Sequence, residues 1–280
     1  YNYLLSGKGY FRPSNMEGWG IQNYITIFSK GSPFLQCLLN TMTIVFVSVP
    51  ISIALSLLIA VALNSIKPLQ KLLQTIFFLP YVTNTIAIGM VFSVMFESQQ
   101  GLMNTILNML GHGSINWLGG NVEAGLLFNN QFITSLVVLI CYIVWNSLPF
   151  KVIILLSALQ SVDRQYYQAA QIDGTSKFRT FSKITVPLLS PQIFYLLITS
   201  FIGAFKEYTS VVAIFGENAS SVGSHNNMAT VVWFIYDKIK GSGATGKTVG
   251  YASAGAVILF LIILFFTGIN KIIEKKKVHF

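Results

Sequence analysis

The amino-acid sequence predicts an all-α protein, a polytopic bundle of transmembrane helices. Of its 280 residues, 53% are hydrophobic and only 10% are charged, whereas a soluble domain typically carries about 25% charged residues. Long apolar stretches alternate with polar loops, and one membrane crossing needs about 20 consecutive, mostly apolar residues. The net charge of +9 therefore indicates basic cytoplasmic loops rather than binding to nucleic acid.

Five apolar stretches are candidate spans, and together they form one transmembrane domain over residues 1–280. Pro80 is expected to break the second span, while Lys206 and Glu207 lie inside the fourth. Between the second and third spans, a loop without lysine or arginine contains Trp117 and is expected to form a short interfacial helix. The approximate span boundaries are 35–63, 75–96, 132–159, 191–215 and 249–269.

The distribution of lysine and arginine predicts the orientation. The loops at 64–74, 160–190 and 270–280 carry more of these residues than the intervening loops do, and basic loops stay in the cytoplasm. The C-terminus is therefore expected to be cytoplasmic. With five spans, Tyr1 would lie outside, so we expect one further span ahead of Tyr1, giving six in the intact subunit.

The loop at 160–190 is a polar, charge-bearing interval between two strongly apolar segments, and it predicts two short helices with a break at Asp173-Gly174. Gly174 suits the position after a helix because glycine tolerates a left-handed backbone. Small Ala169 and Ala170 would allow close approach to another surface, and either Thr175 or Ser176 can cap the second helix. Docking to a soluble partner and contact with lipid headgroups both remain open on these grounds.

The same interval resembles the signature loop of permease subunits of binding-protein-dependent ABC importers. Gln168 stands where that family usually has Glu, and Thr175 where it usually has Ala. The resemblance implies a coupling helix that fits a groove of an ATPase subunit. The matching positions are Ala169, Ala170, Asp173, Gly174, Phe178, Phe181, Ile184, Pro187 and Pro191. The candidate coupling residues are Gln168, Ala169, Ala170, Asp173, Gly174, Phe178 and Phe181.

Other motifs are similar to the carbohydrate branch of that family, of the maltose and multiple-sugar type. They are Asn40-Thr41, Leu79-Pro80, GLMNTILNMLG, Trp117, Trp145 and GYASA at 250–254. The resemblance implies a bacterial cell-membrane permease that imports a sugar, and an oligosaccharide is favoured. It also implies a second homologous permease, two ATPase subunits that bind ATP and Mg²⁺, and an extracytoplasmic solute-binding protein. Membrane lipid surrounds such a subunit, and no cofactor is expected in this chain.

Charged residues inside a span usually face a cavity or a partner, so the fourth span supplies candidate path residues. Phe205, Lys206, Glu207 and Tyr208 are expected to line the translocation path. The alternative for Lys206 and Glu207 is a position near the outer interface, where their side chains reach water. Tyr251 is a further candidate. Trp145 and Asn146 either line the same cavity or, as we favour, fill the core of the bundle.

No motif indicates that this chain is an enzyme. His112, His225 and His279 are scattered without metal-ligand spacing, and no phosphate-binding loop indicates ATP hydrolysis by this chain. A secondary transporter is an alternative, but beyond Lys151, Lys206 and Glu207 the spans offer few ionisable groups for ion coupling. A permease for a non-sugar solute such as glycerol phosphate is a further alternative.

Overall fold

The structure is a computed structural model that describes residues 20–29, 31–66, 70–118, 130–216, 228–240 and 246–277. Every regular element in these residues is helical, which confirms the predicted all-α class. The α-helices in chain order are α1 Gln22–Ile27, α2 Phe34–Ser65, α3 Gln70–Val82, α4 Thr85–Met95, α5 Leu102–Met109, α6 Asn130–Ser161, α7 Arg164–Ile172, α8 Lys177–Thr180, α9 Val186–Leu188, α10 Ser190–Phe205, α11 Thr209–Phe215, α12 Val231–Lys240 and α13 Gly246–Lys277.

Within the described residues, three helices, α2, α6 and α13, are long and apolar enough to cross a membrane. Two further pairs of helices are each bent at a short break. If each pair is counted as one span, the described residues contain five candidate spans. The last helix continues to Lys277, well beyond the apolar stretch, because Lys and Glu are also good helix formers. The expected sixth span ahead of Tyr1 falls outside the described residues.

The break in the second span lies beyond Pro80, in contrast to the sequence-based expectation. Helix α3 continues through Pro80 to Val82, and α4 then leaves at an angle of 95°. The Asn84 side chain accepts hydrogen bonds from the backbone N–H groups of Ile86 and Ala87 at 2.9 and 3.2 Å. This cap starts a new helix, so Asn84 rather than the proline sets the break.

The fourth span is also divided, since α10 ends at Phe205 and α11 begins at Thr209. Residues 206–208 therefore form a break between two helices and are not inside one. The Glu207 carboxylate accepts a hydrogen bond from the Ser210 backbone N–H at 3.0 Å, which satisfies a free donor in the first turn of α11. This break carries three of the candidate path residues.

Helices α2 and α6 pack along each other at the centre of the bundle, and α10 packs against both. Buried apolar side chains form two clusters, a large one that includes Phe34, Tyr142 and Phe205 and a smaller one around Leu155 and Leu196. The candidate site lies between these three helices.

Candidate functional site

A cavity of about 350 Å³ opens between α2, α6, α10 and the break after α10. Its size lies in the range of roughly 300–1,000 Å³ that small-molecule sites occupy. Polar side chains line each wall: Ser48 and Ser52 on α2, Asn146, Ser147 and Lys151 on α6, Thr199 and Ser200 on α10, and Glu207 at the break. Tyr81 and Phe150 add aromatic surface, and their rings stack with centroids 6.1 Å apart.

Lys151 is the basic side chain of this cavity, and only 6% of the residue is exposed. Its ammonium donates hydrogen bonds to the hydroxyl of Ser52 on α2 and to that of Ser147 on α6, the latter at 3.2 Å. Within the described part of the chain, no carboxylate lies within 4.0 Å of this ammonium. A buried cation held only by hydroxyl groups is costly in a membrane bundle, and such groups mark solute pathways.

Ser48 lies one helical turn before Ser52 and is 2% exposed. Its hydroxyl oxygen is buried and has no hydrogen-bond partner among the described residues, and Ser48 is one of the residues that line the cavity. A buried hydroxyl without a partner is unfavourable by about 1–3 kcal/mol. The Ser48 hydroxyl is therefore an unsatisfied polar group at the cavity wall.

A hydrogen-bond frame holds the break that carries Glu207. The Thr230 hydroxyl donates to the Glu207 carbonyl at 2.7 Å. Next to it, the Val231 N–H donates to the Thr41 hydroxyl at 3.0 Å, and the Asn40 amide donates to the Ala229 carbonyl at 3.0 Å. The segment before α12 thereby joins α2 to the break, and fixes the backbone of Glu207 at the cavity wall.

The structure brings two of the candidate path residues, Asn146 and Glu207, to the cavity wall. Phe205 is fully buried and packs on Phe266 with ring centroids 5.4 Å apart, so its ring does not line this cavity. Lys206 is exposed at the end of α10.

The remaining three path candidates are aromatic residues with packing partners. Tyr208 packs on Tyr236, with ring centroids 5.1 Å apart, and Trp145 packs on Phe92 at 5.4 Å. Tyr251 is partly buried against the large apolar cluster. None of the three is among the side chains that line the cavity described above.

Sequence reasoning missed Ser48, Ser52 and Ser147 and gave Lys151 no role at the site. A pattern pointed to them: Ser48, Ser52 and Ser56 recur every four residues in an otherwise apolar span, as do Ser147 and Lys151. Residues four apart share one helix face, so each spacing placed a polar stripe on a membrane helix.

The candidate coupling loop forms two capped helices around Gly174. Asp163 accepts a hydrogen bond from the Gln165 N–H at the start of α7, and Ser176, one of the two expected residues, caps α8 through the Arg179 N–H. Gly174 has φ +63°. The N–H groups of Gly174 and Thr175 close the end of α7 on the carbonyls of Gln171 and Ala170, at 3.1 and 2.9 Å, as in a Schellman motif.

This loop exposes apolar side chains among polar ones. Ile172 is 86% exposed and Phe178 is 79% exposed, and Tyr166 is also exposed. Gln168, Ala169 and Asp173 are exposed as well. In contrast, Ala170 is buried and Phe181 packs against the smaller apolar cluster. We call the exposed set of Tyr166, Ile172 and Phe178 the loop patch.

The described residues contain no group of three or more His, Cys, Asp or Glu side chains that could hold a metal ion. Cys37 is buried and Cys141 is exposed, and both are free thiols. The site described above therefore consists of hydroxyl, amide, ammonium and carboxylate groups, which suit hydrogen bonding to a polar solute.

Comparison with known proteins agrees with this architecture. Residues 52–279 match the family described as the inner membrane component of binding-protein-dependent transport systems. The arabinooligosaccharide transport permease AraP of Halalkalibacterium halodurans is 33% identical over 90% of this chain and 73% of its own length. The lactose transport permease LacF of Rhizobium radiobacter is 30% identical over 98% and 86% of the two chains.

Among solved structures, a bacterial ABC transporter that imports the acidic polysaccharide alginate aligns with a TM-score of 0.73 at 20% identity. The alignment covers 92% of this chain and 85% of that one, and at this identity it supports the fold. The matched length and the identity to relatives decide the family. The chain belongs to the inner membrane components of binding-protein-dependent transport systems, and is a multi-pass permease subunit of an ABC transporter rather than an enzyme.

Proposed function

We propose that this subunit transports a carbohydrate through the cavity between α2, α6 and α10, and we favour an oligosaccharide. The observation that carries the proposal is the cavity lining, which combines five serines with Asn146, Lys151 and Glu207. Sugar hydroxyl groups both donate and accept hydrogen bonds, so a lining of this kind suits them. The names of AraP and LacF as arabinooligosaccharide and lactose permeases support the same class of solute.

The direction of transport is import, driven by ATP on partner subunits. The family description includes dependence on a binding protein, so we propose a solute-binding protein on the outer face. A second homologous permease and two ATPase subunits complete the assembly. Alternating access then follows from two arrangements of the bundle, between which ATP binding and hydrolysis shift the balance.

The loop patch is the proposed contact with an ATPase subunit. Ile172 and Phe178 expose large apolar surfaces on a polar loop, and burying each would contribute about 1.5–3 kcal/mol. Two side-chain caps and the closure at Gly174 hold α7 and α8 in a defined shape, and the smaller apolar cluster packs under Phe181. A rigid loop transmits a movement of the ATPase subunit to α6 and α10, the long helices that precede and follow the loop in the chain. Gln168 would contribute hydrogen bonds there rather than an ion pair.

The loop contact is tested by the substitution Ile172→Asp in the complete transporter. Because the side chain is 86% exposed, the change should leave insertion and folding intact. We expect sugar uptake to fall by about tenfold or more, since a charge cannot be buried in an apolar contact at low cost. The ATPase subunits should also co-purify in smaller amounts.

The matched control is Ile172→Leu, which keeps an apolar side chain of the same size and should retain uptake. Full sugar uptake by the Ile172→Asp variant would contradict the proposed role of the loop patch. A separate titration of the solute-binding protein with a panel of sugars and with glycerol phosphate would identify the solute. Binding of glycerol phosphate alone would replace the sugar proposal with a non-sugar one.

A further inference from the structure

The cavity has opposite charges on different walls. Lys151 lies on α6, and its ammonium is fixed by hydroxyls of α2 and α6. Glu207 lies at the break after α10, and its carboxylate accepts the N–H of Ser210. The two charges face one cavity, yet they are not within 4.0 Å of each other.

A ligand in this space must satisfy a donor and an acceptor at once. An ammonium only donates hydrogen bonds and a carboxylate only accepts them, whereas a hydroxyl does both. The Ser48 hydroxyl adds a third group on α2 that lacks a partner among the described residues. A neutral polyhydroxylated ligand can accept from Lys151, donate to Glu207 and bind Ser48.

Charged ligands fit the same cavity less well. A carboxylate, sulfate or phosphate on the ligand would gain from Lys151 but be repelled by Glu207, and an amine would meet the reverse arrangement. Like charges brought together at a buried site cost several kcal/mol. A ligand with several charges of one sign therefore cannot avoid the like charge on one wall, whereas a neutral ligand meets no repulsion.

We propose that Lys151, with Glu207 and Ser48, sets the charge specificity of the transport cavity and selects neutral oligosaccharides over acidic and basic ones. This inference rests on the proposed carbohydrate function and adds a class of substrate to it. It also adds two residues, Lys151 and Ser48, that bind the ligand. The Ser52 and Ser147 hydroxyls act as positioning groups for the ammonium.

The test uses the intact transporter in lipid nanodiscs without its binding protein, so that only the transmembrane cavity selects the ligand. Saturation-transfer NMR detects weak binding of two probes with three rings each, neutral maltotriose and acidic trigalacturonate. For the wild-type complex we expect at least about threefold more transfer to maltotriose, because Glu207 repels the uronate groups.

Four variants separate the roles. Glu207→Gln should raise the ratio of trigalacturonate to maltotriose transfer at least about threefold, since the repelling charge is gone. Lys151→Met should lower that ratio and weaken maltotriose binding, while Lys151→Arg keeps the charge and remains informative if Lys151→Met fails to fold. Ser48→Ala should weaken maltotriose binding and leave the ratio unchanged.

Equal or stronger transfer to trigalacturonate in the wild type would overturn the inference, as would a ratio that stays constant in Glu207→Gln or in Lys151→Met, or one that changes in Lys151→Arg. A complex that takes up sugar but transfers saturation to neither probe would also overturn it. That last result leaves the proposed transport function standing, because uptake measures the function independently.

Discussion

Gly174 is the residue on which the shape of the loop at 160–190 depends. Its φ of +63° lies in the left-handed region, and an added Cβ would meet no atom within 4 Å. A side chain at this position is thus limited by backbone strain and not by space. For most residues other than glycine and asparagine, this backbone conformation is unfavourable by roughly 1–2 kcal/mol.

Replacing Gly174 with Val should therefore uncouple transport while the subunit still inserts. The strain disfavours the docking shape of the loop, and about 1.4 kcal/mol corresponds to a tenfold change in its population. Sugar uptake per ATP hydrolysed is the measurement. Gly174→Asn is the control, because asparagine tolerates this backbone conformation, and unchanged coupling in the valine variant would contradict the rigid-loop account.

Asn104 is the residue that organises the loop after α4. It is 1% exposed, and its amide nitrogen donates to the carbonyls of Ser98 and Ile115, both at 2.8 Å. Its amide oxygen accepts from the Ile115 N–H at 3.0 Å and from the Trp117 indole at 2.9 Å. One side chain thereby joins both ends of the segment around α5.

Asn104→Ala should lower the free energy of unfolding by about 2–4 kcal/mol, because buried groups that lose a partner each cost roughly 1–3 kcal/mol. Thermal unfolding of the purified transporter measures the effect. Asn108→Ala is the matched control one turn later in α5, where an exposed side chain bonds only the Ser114 hydroxyl. Equal shifts of the unfolding temperature in both variants would contradict the role of Asn104.

Helix α4 follows the break in the second span, and α11 follows the break in the fourth span. The two helices pack tightly against each other at Gly89. A Cβ built on Gly89 would come within 2.3 Å of the Ala213 Cβ. Even a methyl group must therefore push the helices apart. This contact ties the second span to the helix that follows Glu207.

Gly89→Ala should destabilise the bundle by about 1–3 kcal/mol through overpacking, and adding Ala213→Gly should restore part of the loss. Gly268→Ala in α13 is the control, because a Cβ there has open space and alanine favours a helix. Thermal unfolding of the four proteins, wild type included, gives the comparison. A double variant no more stable than Gly89→Ala would contradict direct contact at this crossing.

Element boundaries and site residues differ in how far the sequence predicts them. Long apolar runs predicted α2, α6 and α13, because a bilayer requires such runs. The sequence predicted the break of the second span at Pro80, but the break lies at 83–84, because the Asn84 cap determines where α4 begins. Lys151 and Ser52 are 99 positions apart in the chain, so their contact arises from packing of α2 on α6 and no local pattern reveals it.

The whole molecule is expected to lie with its C-terminus in the cytoplasm. The basic loops at 64–74, 160–190 and 270–280 favour that side. On a background without Cys37 and Cys141, a membrane-impermeant maleimide should label Ser182→Cys only in inside-out vesicles. His112→Cys should react only in right-side-out vesicles, and the opposite pattern would contradict the orientation.

The energy source of transport tests the central claim most directly. Uptake of neutral oligosaccharide is measured in proteoliposomes that contain the complete transporter and its binding protein, with ATP or an ion gradient supplied separately. We predict uptake that requires ATP on the loop-patch side and binding protein on the other side, and that does not respond to an ion gradient. Uptake driven by the gradient without ATP would contradict the account.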